Sequence, residues 1–249
     1  MPLSDVLIAE YPQITSPDRK DVEEIVYPDS DGEPMGETEF HVIATLHLYD
    51  SLRHFFRKNP DIYVAADMFL YYEEGNPYAN KAPDVMVIKG VEKRKRRTFK
   101  IWEEQAVPCV IFEITSKSTI VEDMIPKSFL YASLGVREYF LFDPLKESLN
   151  DALVGFRLQN GEYTPIQPDS DGFLRSEELG ILLTVQNELV RIIDPQTRQQ
   201  VPALTEAVER AEQEAQRAEQ EAQRAEQERR RAEAAEAELA RLRAMMDNK

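Results

Sequence analysis

Two acidic residues interrupt apolar stretches of the sequence, and both are candidates for metal chemistry. Asp84 directly precedes the apolar run 85–88, and Glu113 lies inside the apolar run 110–115. An ionised carboxylate among apolar side chains is costly unless it is paired with a cation or bound to a metal. Two such acids on neighbouring strands can hold a hard divalent cation through oxygen ligands. The alternative is that each acid pairs with a buried arginine or lysine.

Two lysines are placed where a positive charge would complete such a site. Lys117 lies four residues after Glu113, and Lys127 lies in the helix that is predicted to follow. Asp123 is four residues before Lys127, so the two share a face of that helix and Asp123 can orient the lysine. Tyr131 lies one turn further along the same face. The alternative for either lysine is a solvated surface residue.

An acid, a second acid on the next strand and then a lysine is the arrangement of the PD-(D/E)XK nuclease superfamily. Within it, the chain resembles the bacterial Uma-type restriction endonucleases, and an alanine- and arginine-rich helical tail is typical of many members. The stretches that carry the resemblance are MGETEFH (35–41), LYYEEGNP (70–77), PDVMV (83–87), FEITSKST (112–119), LGVREYFLFDP (134–144) and LG (179–180).

The resemblance implies an α+β, restriction-endonuclease-like fold, in which helices flank a mixed central sheet. It also implies a metal-dependent endonuclease that hydrolyses phosphodiester bonds in DNA. Asp84, Glu113 and the carbonyl of Ile114 would bind Mg²⁺ or Mn²⁺, which activates water and neutralises charge on the phosphate. Glu39, on the first helix, would add an outer acid.

The sequence departs from the simple superfamily pattern at the position of the lysine. Thr115 stands where the motif has lysine. The resemblance to the family moves the lysine to the next helix, which favours Lys127 over Lys117 as the catalytic residue. Pro126 directly precedes Lys127 and is expected to bend the helix or to begin a new first turn there.

A basic run lies between the two strands that would carry the metal ligands. A hairpin of these strands is expected to hold the run near the site, where it would clamp the DNA backbone through salt-dependent contacts. The alternative is a solvated loop that offsets an acidic surface. The six basic residues are Lys93, Arg94, Lys95, Arg96, Arg97 and Lys100.

The chain divides into three predicted segments. Residues 1–34 form an irregular lead-in, residues 35–200 the nuclease-like domain, and residues 203–249 a helical tail. The unit AEQEAQR occupies 211–217 and repeats identically at 218–224, with no glycine or proline after residue 202. A seven-residue repeat predicts a coiled coil that joins two copies of the chain, although its seam is mostly alanine. A solvated single helix is the alternative.

Composition limits the remaining function classes. The 249 residues carry a net charge of −16, which argues against a general nucleic-acid coat and against binding to an anionic membrane. A single cysteine, Cys109, excludes an internal disulfide and a cysteine-based zinc site. No signal peptide or membrane span is predicted, so a cytoplasmic protein is expected. The competing function is a non-catalytic scaffold whose tail recruits a partner or forms an oligomer.

Overall fold

The chain adopts an α+β fold around one six-stranded mixed sheet and ends in a long helix, which confirms the predicted fold class. The computed structural model describes residues 25–30, 32 and 37–247. The helices are α1 (Glu39–Phe55), α2 (Ile101–Glu104), α3 (Ile120–Glu122), α4 (Ser128–Leu134) and α5 (Leu204–Asp247). The strands are β1 (Ile62–Ala66), β2 (Leu70–Tyr71), β3 (Asn80–Lys81), β4 (Val85–Lys89), β5 (Phe99–Lys100), β6 (Val110–Ile114), β7 (Glu138–Phe142), β8 (Leu153–Gln159), β9 (Glu162–Pro165), β10 (Leu174–Ser176), β11 (Ile181–Gln186) and β12 (Leu189–Ile193).

The order of the strands in the main sheet is β1-β4-β6-β7-β8-β9. The β6–β7 pair is parallel and the other neighbouring pairs are antiparallel. Parallel strands need a crossover connection. Here the connection runs through α3, a π-helical turn over Asp123–Lys127, and α4. The crossover therefore returns the chain across the sheet beside the end of β6, where Glu113 lies.

The two faces of the sheet bury different clusters, because successive side chains of a strand point to opposite sides. Phe112 and Ile114 of β6 pack in the cluster that includes the buried residues of α1. Ile111 packs on the other face, in the cluster that contains Tyr131 of α4. Glu113 alternates with Phe112 and Ile114, so its carboxylate lies on the face of Tyr131.

Apolar residues at helical spacing after Thr38, from Val42 to Phe56, predict a helix over 39–58 that Thr38 caps. The observed helix begins at Glu39, where the Thr38 hydroxyl accepts the backbone N–H of His41 at 3.3 Å. The last three residues of the predicted range form a 3-10 turn. The second predicted helix, over 122–134, contains the π-helical turn at Pro126 and ends at Gly135, whose φ is +85°. Proline has no N–H for the helical ladder, so the expected distortion is present as a widened turn.

Two smaller sequence features have local explanations. The Asn160-Gly161 turn between β8 and β9 has positive φ at both residues, as a tight two-residue hairpin requires. Cys109 is buried and its Sγ donates to the carbonyl of Val87 at 3.3 Å. Burial raises the pKa of the Cys109 thiol to about 11, which keeps it protonated and unreactive at neutral pH.

The tail begins soon after the last strand. β12 ends at Ile193 and α5 starts at Leu204, with the Arg191–Glu206 ion pair at 2.6 Å beside the start of the helix. Side chains over 210–236 are exposed throughout. Most of the predicted lead-in lies outside the described residues. Within the described part, the Tyr27 ring packs 5.1 Å from that of Tyr71.

Candidate active site

Asp84 and Glu113 lie at the same end of two neighbouring strands. Asp84 precedes β4, and β4 pairs antiparallel with β6 so that Val85 opposes Phe112. The Asp84 backbone N–H lies 3.4 Å from Glu113 Oε2, and the Ile114 N–H donates to Asp84 Oδ2 at 2.6 Å. The fold thus brings the two predicted acids and Ile114 together.

Lys127 completes this group from the opposite side. Its Nζ lies 3.1 Å from Glu113 Oε2 and 2.9 Å from Asp123 Oδ1. The Lys127 side chain is 16% exposed, whereas both carboxylates are almost fully buried. Pro126 sits in the π-helical turn that carries Lys127. Such turns often occur at functional sites because they re-aim one side chain without ending the helix.

Lys117, the other candidate lysine, does not join the group. Its Nζ pairs with Glu147 at 3.0 Å, and its side chain is 68% exposed. Lys117 follows the end of β6 in an exposed loop, so the chain has already left the sheet at this point. Between the two lysines that the sequence leaves open, the structure brings only Lys127 into contact with Glu113.

The first helix contributes His41 rather than Glu39. Glu39 is exposed in the first turn of α1 and is not among the residues that contact Asp84 in the described part of the chain. His41 Nε2 lies 2.9 Å from Asp84 Oδ1, and its Nδ1 lies 3.3 Å from Glu37 Oε2. The first turn of α1 directs position 41, not position 39, toward the end of β4. The structure therefore brings His41 to Asp84, and a role of Glu39 as an outer acid stays a prediction.

Tyr131 is a site residue to which the sequence analysis assigned no role. Its hydroxyl donates to Glu113 Oε1 at 2.8 Å, and the ring is fully buried. The signal was its spacing of four residues from Lys127 on one helix face. Tyr139 supports the same corner of the site, since its hydroxyl donates to the backbone carbonyl of Asp123 at 3.0 Å.

The electrostatics of the group are those of buried, mutually dependent charges. Burial raises the pKa of the Glu113 carboxyl above its usual range, while the Lys127 ammonium opposes this shift. Burial by itself lowers the pKa of Lys127, but Glu113 and Asp123 more than offset it and raise the pKa. At His41, burial is the largest single influence and lowers the pKa, but the hydrogen bond to Asp84 and the charges of Asp84 and Glu37 together outweigh burial and raise the pKa. Lys127 is therefore a cation at neutral pH.

One more acid adjoins the site. Asp67 follows β1, and its backbone N–H lies within 3.3 Å of the carbonyls of Pro83 and Asp84. Desolvation, and then the charge of Asp84, raise the pKa of Asp67 to about 6, although the residue reaches the surface. No sequence pattern marked Asp67, because it lies between β1 and β2 and reaches the site only through the pairing of β1 with β4.

The donor set fits a hard divalent cation. Carboxylate and carbonyl oxygens are the ligands that Mg²⁺ and Mn²⁺ prefer. The N–H of Ile114 faces Asp84, and the carbonyl of a strand residue faces the same edge as its N–H. Over residues 25–30, 32 and 37–247, no three His, Cys, Asp or Glu side chains form a metal-binding group. A metal ion here would be bound by Asp84, Glu113 and the Ile114 carbonyl.

A cleft of about 220 Å³ adjoins this group. His41 and Ile114, which both hydrogen-bond the Asp84 carboxylate, line it. Its wall is rich in hydroxyl groups, contributed by Thr38, Thr115, Ser116, Ser118 and Thr119. The cleft is also lined by Glu37, Asp143 and Glu147. A substrate in it would approach the carboxylates from the side of α1, among hydroxyl groups and these acids.

The basic run lies away from the site, which corrects one expectation. In an antiparallel pair, the connection between strands leaves from the end opposite to the one shared by Asp84 and Glu113. The five residues of β4 put roughly 17 Å between Asp84 and the start of the run. The hairpin argument was wrong because it considered closeness along the chain and not the direction of the strands.

Most of the cations in this run are also neutralised. Arg94 and Arg96 both bind Glu104, Arg97 binds Asp29, and Lys100 binds Glu103 at 2.9 Å. The Arg96 side chain is 2% exposed and lies over the Tyr63 ring, so it serves the packing of the fold. Only Lys93 and Lys95 have no acidic partner among the described residues.

Comparison with known proteins assigns the chain to a family. A model of the Uma2 family, described as "Putative restriction endonuclease", matches residues 8–190. The chain belongs to this family. The family match begins inside the predicted lead-in and ends close to the last strand, so the Uma2 region and the α5 tail are distinct along the chain.

The chain is also similar to a solved structure. It is titled as a "putative nuclease belonging to DUF820" from Anabaena variabilis ATCC 29413. It is 14% identical, with a TM-score of 0.47, over 62% of this chain and 82% of that one. No curated protein matches the chain. No helix in the described part of the chain is both long and apolar enough to cross a membrane.

Proposed function

We propose that this Uma2 protein is a divalent-metal-dependent endonuclease that hydrolyses phosphodiester bonds in DNA. The observation that carries the proposal is the contact of Lys127 with Glu113, 3.1 Å apart, beside Asp84 on the neighbouring strand. Two acids and a lysine from three separate segments of the chain converge at one end of the neighbouring strands β4 and β6, and a cleft opens beside them. The family to which the chain belongs supports a nuclease.

Asp84, Glu113 and the Ile114 carbonyl would hold Mg²⁺ or Mn²⁺. When bound, the metal supplies a Lewis acid that stabilises charge on the phosphoryl oxygens and makes water a stronger nucleophile at neutral pH. Its charge would also offset the cost of keeping Glu113 ionised in a buried position. His41 Nε2 donates to Asp84 Oδ1 and holds that carboxylate in one orientation.

Lys127 would stabilise the negative charge that develops on the phosphate and orient the attacking water. A group fixed before the reaction does this without reorganisation in the transition state. Asp123 holds the Lys127 ammonium, and Tyr131 holds the far oxygen of Glu113. The raised pKa of Lys127 keeps the ammonium protonated, so it acts as a charge and hydrogen-bond donor rather than as a base.

A direct test combines metal binding and cleavage on the same samples. The wild-type protein is expected to bind Mn²⁺ and Mg²⁺ in a calorimetric titration and to nick supercoiled plasmid only when metal is present. Asp84→Asn, which keeps the side-chain shape, is expected to weaken metal binding by about 10–100-fold and to remove nicking. Tight metal binding by Asp84→Asn, or nicking by wild type in EDTA, would contradict the proposal.

The second candidate function is assembly through the tail, and the exposure of α5 favours it. We infer that two copies of the chain join through the alanine stripe formed by Ala211, Ala218 and Ala225, which recur at seven-residue spacing. Small residues let helices approach closely, and 44 residues give a helix about 66 Å long. Two nuclease units held in this way could cut both strands of a duplex.

Changing Ala218 and Ala225 to glutamate is expected to convert a dimer to a monomer in light scattering after gel filtration. Glutamate preserves helix propensity but places like charges along the stripe. Gln220→Glu with Gln227→Glu adds the same charge to another face of α5 and serves as the matched control. A wild-type protein that is monomeric at all concentrations would remove the dimer proposal and leave the solvated helix.

A further inference from the structure

A second cleft lies at the far end of α1 from the candidate active site. It measures about 350 Å³ and is walled by the C-terminal end of α1, the free edge of β1 and the loop after β4. Its lining joins cationic and aromatic side chains, among them Arg53, Arg57, Lys93, Lys95, Tyr49 and Tyr63. No acidic residue lines it. This is unusual in a chain whose net charge is −16.

Five cations line this cleft, and only Arg94, which binds Glu104, has an acidic partner among the described residues. Arg53 donates to the Tyr49 hydroxyl at 3.2 Å and lies over its ring. Arg57 donates to the His54 carbonyl at 2.8 Å, and Lys93 donates to the Phe56 carbonyl at 2.7 Å. Among the described residues, neither Arg53 nor Arg57 forms an ion pair, in contrast to the four paired cations of the basic run. The positive charges of Arg53, Arg57 and Lys93 are therefore held in place without being neutralised by an acid.

Fixed cations beside aromatic rings suit a phosphate group carried by a nucleoside. Arginine forks match phosphate oxygens, and sugar or base surfaces pack on aromatic rings. A free nucleotide and the backbone of a nucleic acid share this chemistry. The position of the cleft favours the backbone. Arg53 lies twelve residues beyond His41 on α1, which is about 18 Å along the helix, or the length of about five base pairs.

We propose that this cleft binds a DNA backbone phosphate several base pairs from the bond that is cut. The choice of DNA rests on the proposed nuclease function. The cleft would hold the duplex by charge alone and add affinity without sequence preference. It replaces the six-residue clamp that the sequence suggests by a set of cations from two separate segments of the chain.

The test is fluorescence anisotropy of a labelled duplex in EDTA, which measures binding without cleavage. The test variant is Arg53→Gln with Lys95→Gln, since neither side chain caps a backbone carbonyl. The matched control is Arg97→Gln with Lys100→Gln, which removes the same charge from paired positions. Thermal unfolding of all samples verifies that the variants are folded.

The test variant is expected to bind the duplex about tenfold more weakly and to lose about one unit of slope per phosphate contact in a salt titration. The control is expected to stay within about twofold of wild type because its cations are already neutralised. Wild-type affinity and salt slope in the test variant would overturn the proposal. Equal losses in the test and control variants would also overturn it, since they would show only an effect of net charge.

Two further arms separate the possible sources of phosphate and the two proposals. If a deoxynucleoside monophosphate saturates the wild-type cleft while duplex affinity is unchanged in the test variant, the ligand is a free nucleotide and the DNA assignment fails. Metal-dependent nicking is measured on the same variants. A wild type that binds DNA through the cleft but never nicks contradicts the nuclease function and not the cleft. If the wild type nicks DNA but the test variant has the same Kd for the duplex, the result contradicts the cleft and not the nuclease function.

Discussion

Replacing Lys127 by methionine is expected to lower metal-dependent nicking by about 10²–10³-fold, the range seen when one fixed donor to a developing anion is removed. Lys117→Met is the matched control and is expected to retain nicking within about twofold, because its ammonium is exposed and paired with Glu147. Both lysines are candidates in the sequence, with Lys127 favoured by the family resemblance, so this pair of variants separates the alternatives directly.

Metal binding distinguishes this role of Lys127 from a merely structural one. Lys127 contacts Glu113, so its removal takes away a cation that competes for the carboxylate. Lys127→Met is therefore expected to bind Mn²⁺ at least as tightly as wild type in calorimetry, while Asp84→Asn binds it more weakly. Loss of both metal binding and nicking in Lys127→Met would show that the lysine serves only the fold.

The same variant should lose stability in the absence of metal. Without Lys127, Glu113 and Asp123 stay buried with no nearby cation, and breaking a buried pair in this way costs about 3–5 kcal/mol. Added Mn²⁺ is expected to restore part of this loss, since a ligand that binds only the folded state stabilises it. Chemical unfolding with and without metal measures both effects.

Replacing Arg157 by methionine is expected to lower the free energy of unfolding by about 3–5 kcal/mol at neutral pH. Arg157 Nε and a terminal nitrogen lie 3.2 and 3.0 Å from Glu138 Oε1, and Glu138 is fully buried at the start of β7. The Ser176 hydroxyl and the Glu177 N–H also donate to this carboxylate. The substitution would leave the acid buried without its cation.

The control for this prediction is Arg137→Met. Arg137 pairs with Glu178 at 2.9 Å, but its side chain is 60% exposed. An exposed pair contributes about 0–1 kcal/mol, so urea unfolding should separate the two variants clearly. Combining Arg157→Met with Glu138→Gln is expected to recover part of the loss, because the buried group is then neutral. Equal effects of Arg157→Met and Arg137→Met would contradict the account.

Glu113 and Glu138 show a limit of what the sequence alone can predict about a buried acid. Each is an acid inside an apolar strand, and no local feature tells them apart. Glu138 pairs with Arg157 of the neighbouring strand β8, which is the alternative of a buried acid held by a basic side chain. Glu113 meets Lys127 at the edge of a cleft, beside a second carboxylate. The difference comes from which element crosses over each strand, and that is a property of the topology.

Local structure was largely determined by the sequence. Apolar periodicity and the Thr38 cap predicted α1, and the Asn160-Gly161 pair predicted the β8–β9 hairpin. The period of seven without glycine or proline predicted α5. These features depend on the backbone preferences of nearby residues, and so they can be identified in the chain itself. The ordered stretches between residues 35 and 180 also identified the family.

Only the tertiary structure decided which of these residues meet. It placed Lys127 and not Lys117 beside Glu113, and it brought His41 rather than Glu39 to Asp84. It also places the basic run at the opposite end of the strands, where Lys93 and Lys95 line one cleft with Arg53 and Arg57. Strand direction, the crossover after β6 and the rotation of α1 set these contacts. All three are decided by packing between distant segments, which local spacing does not encode.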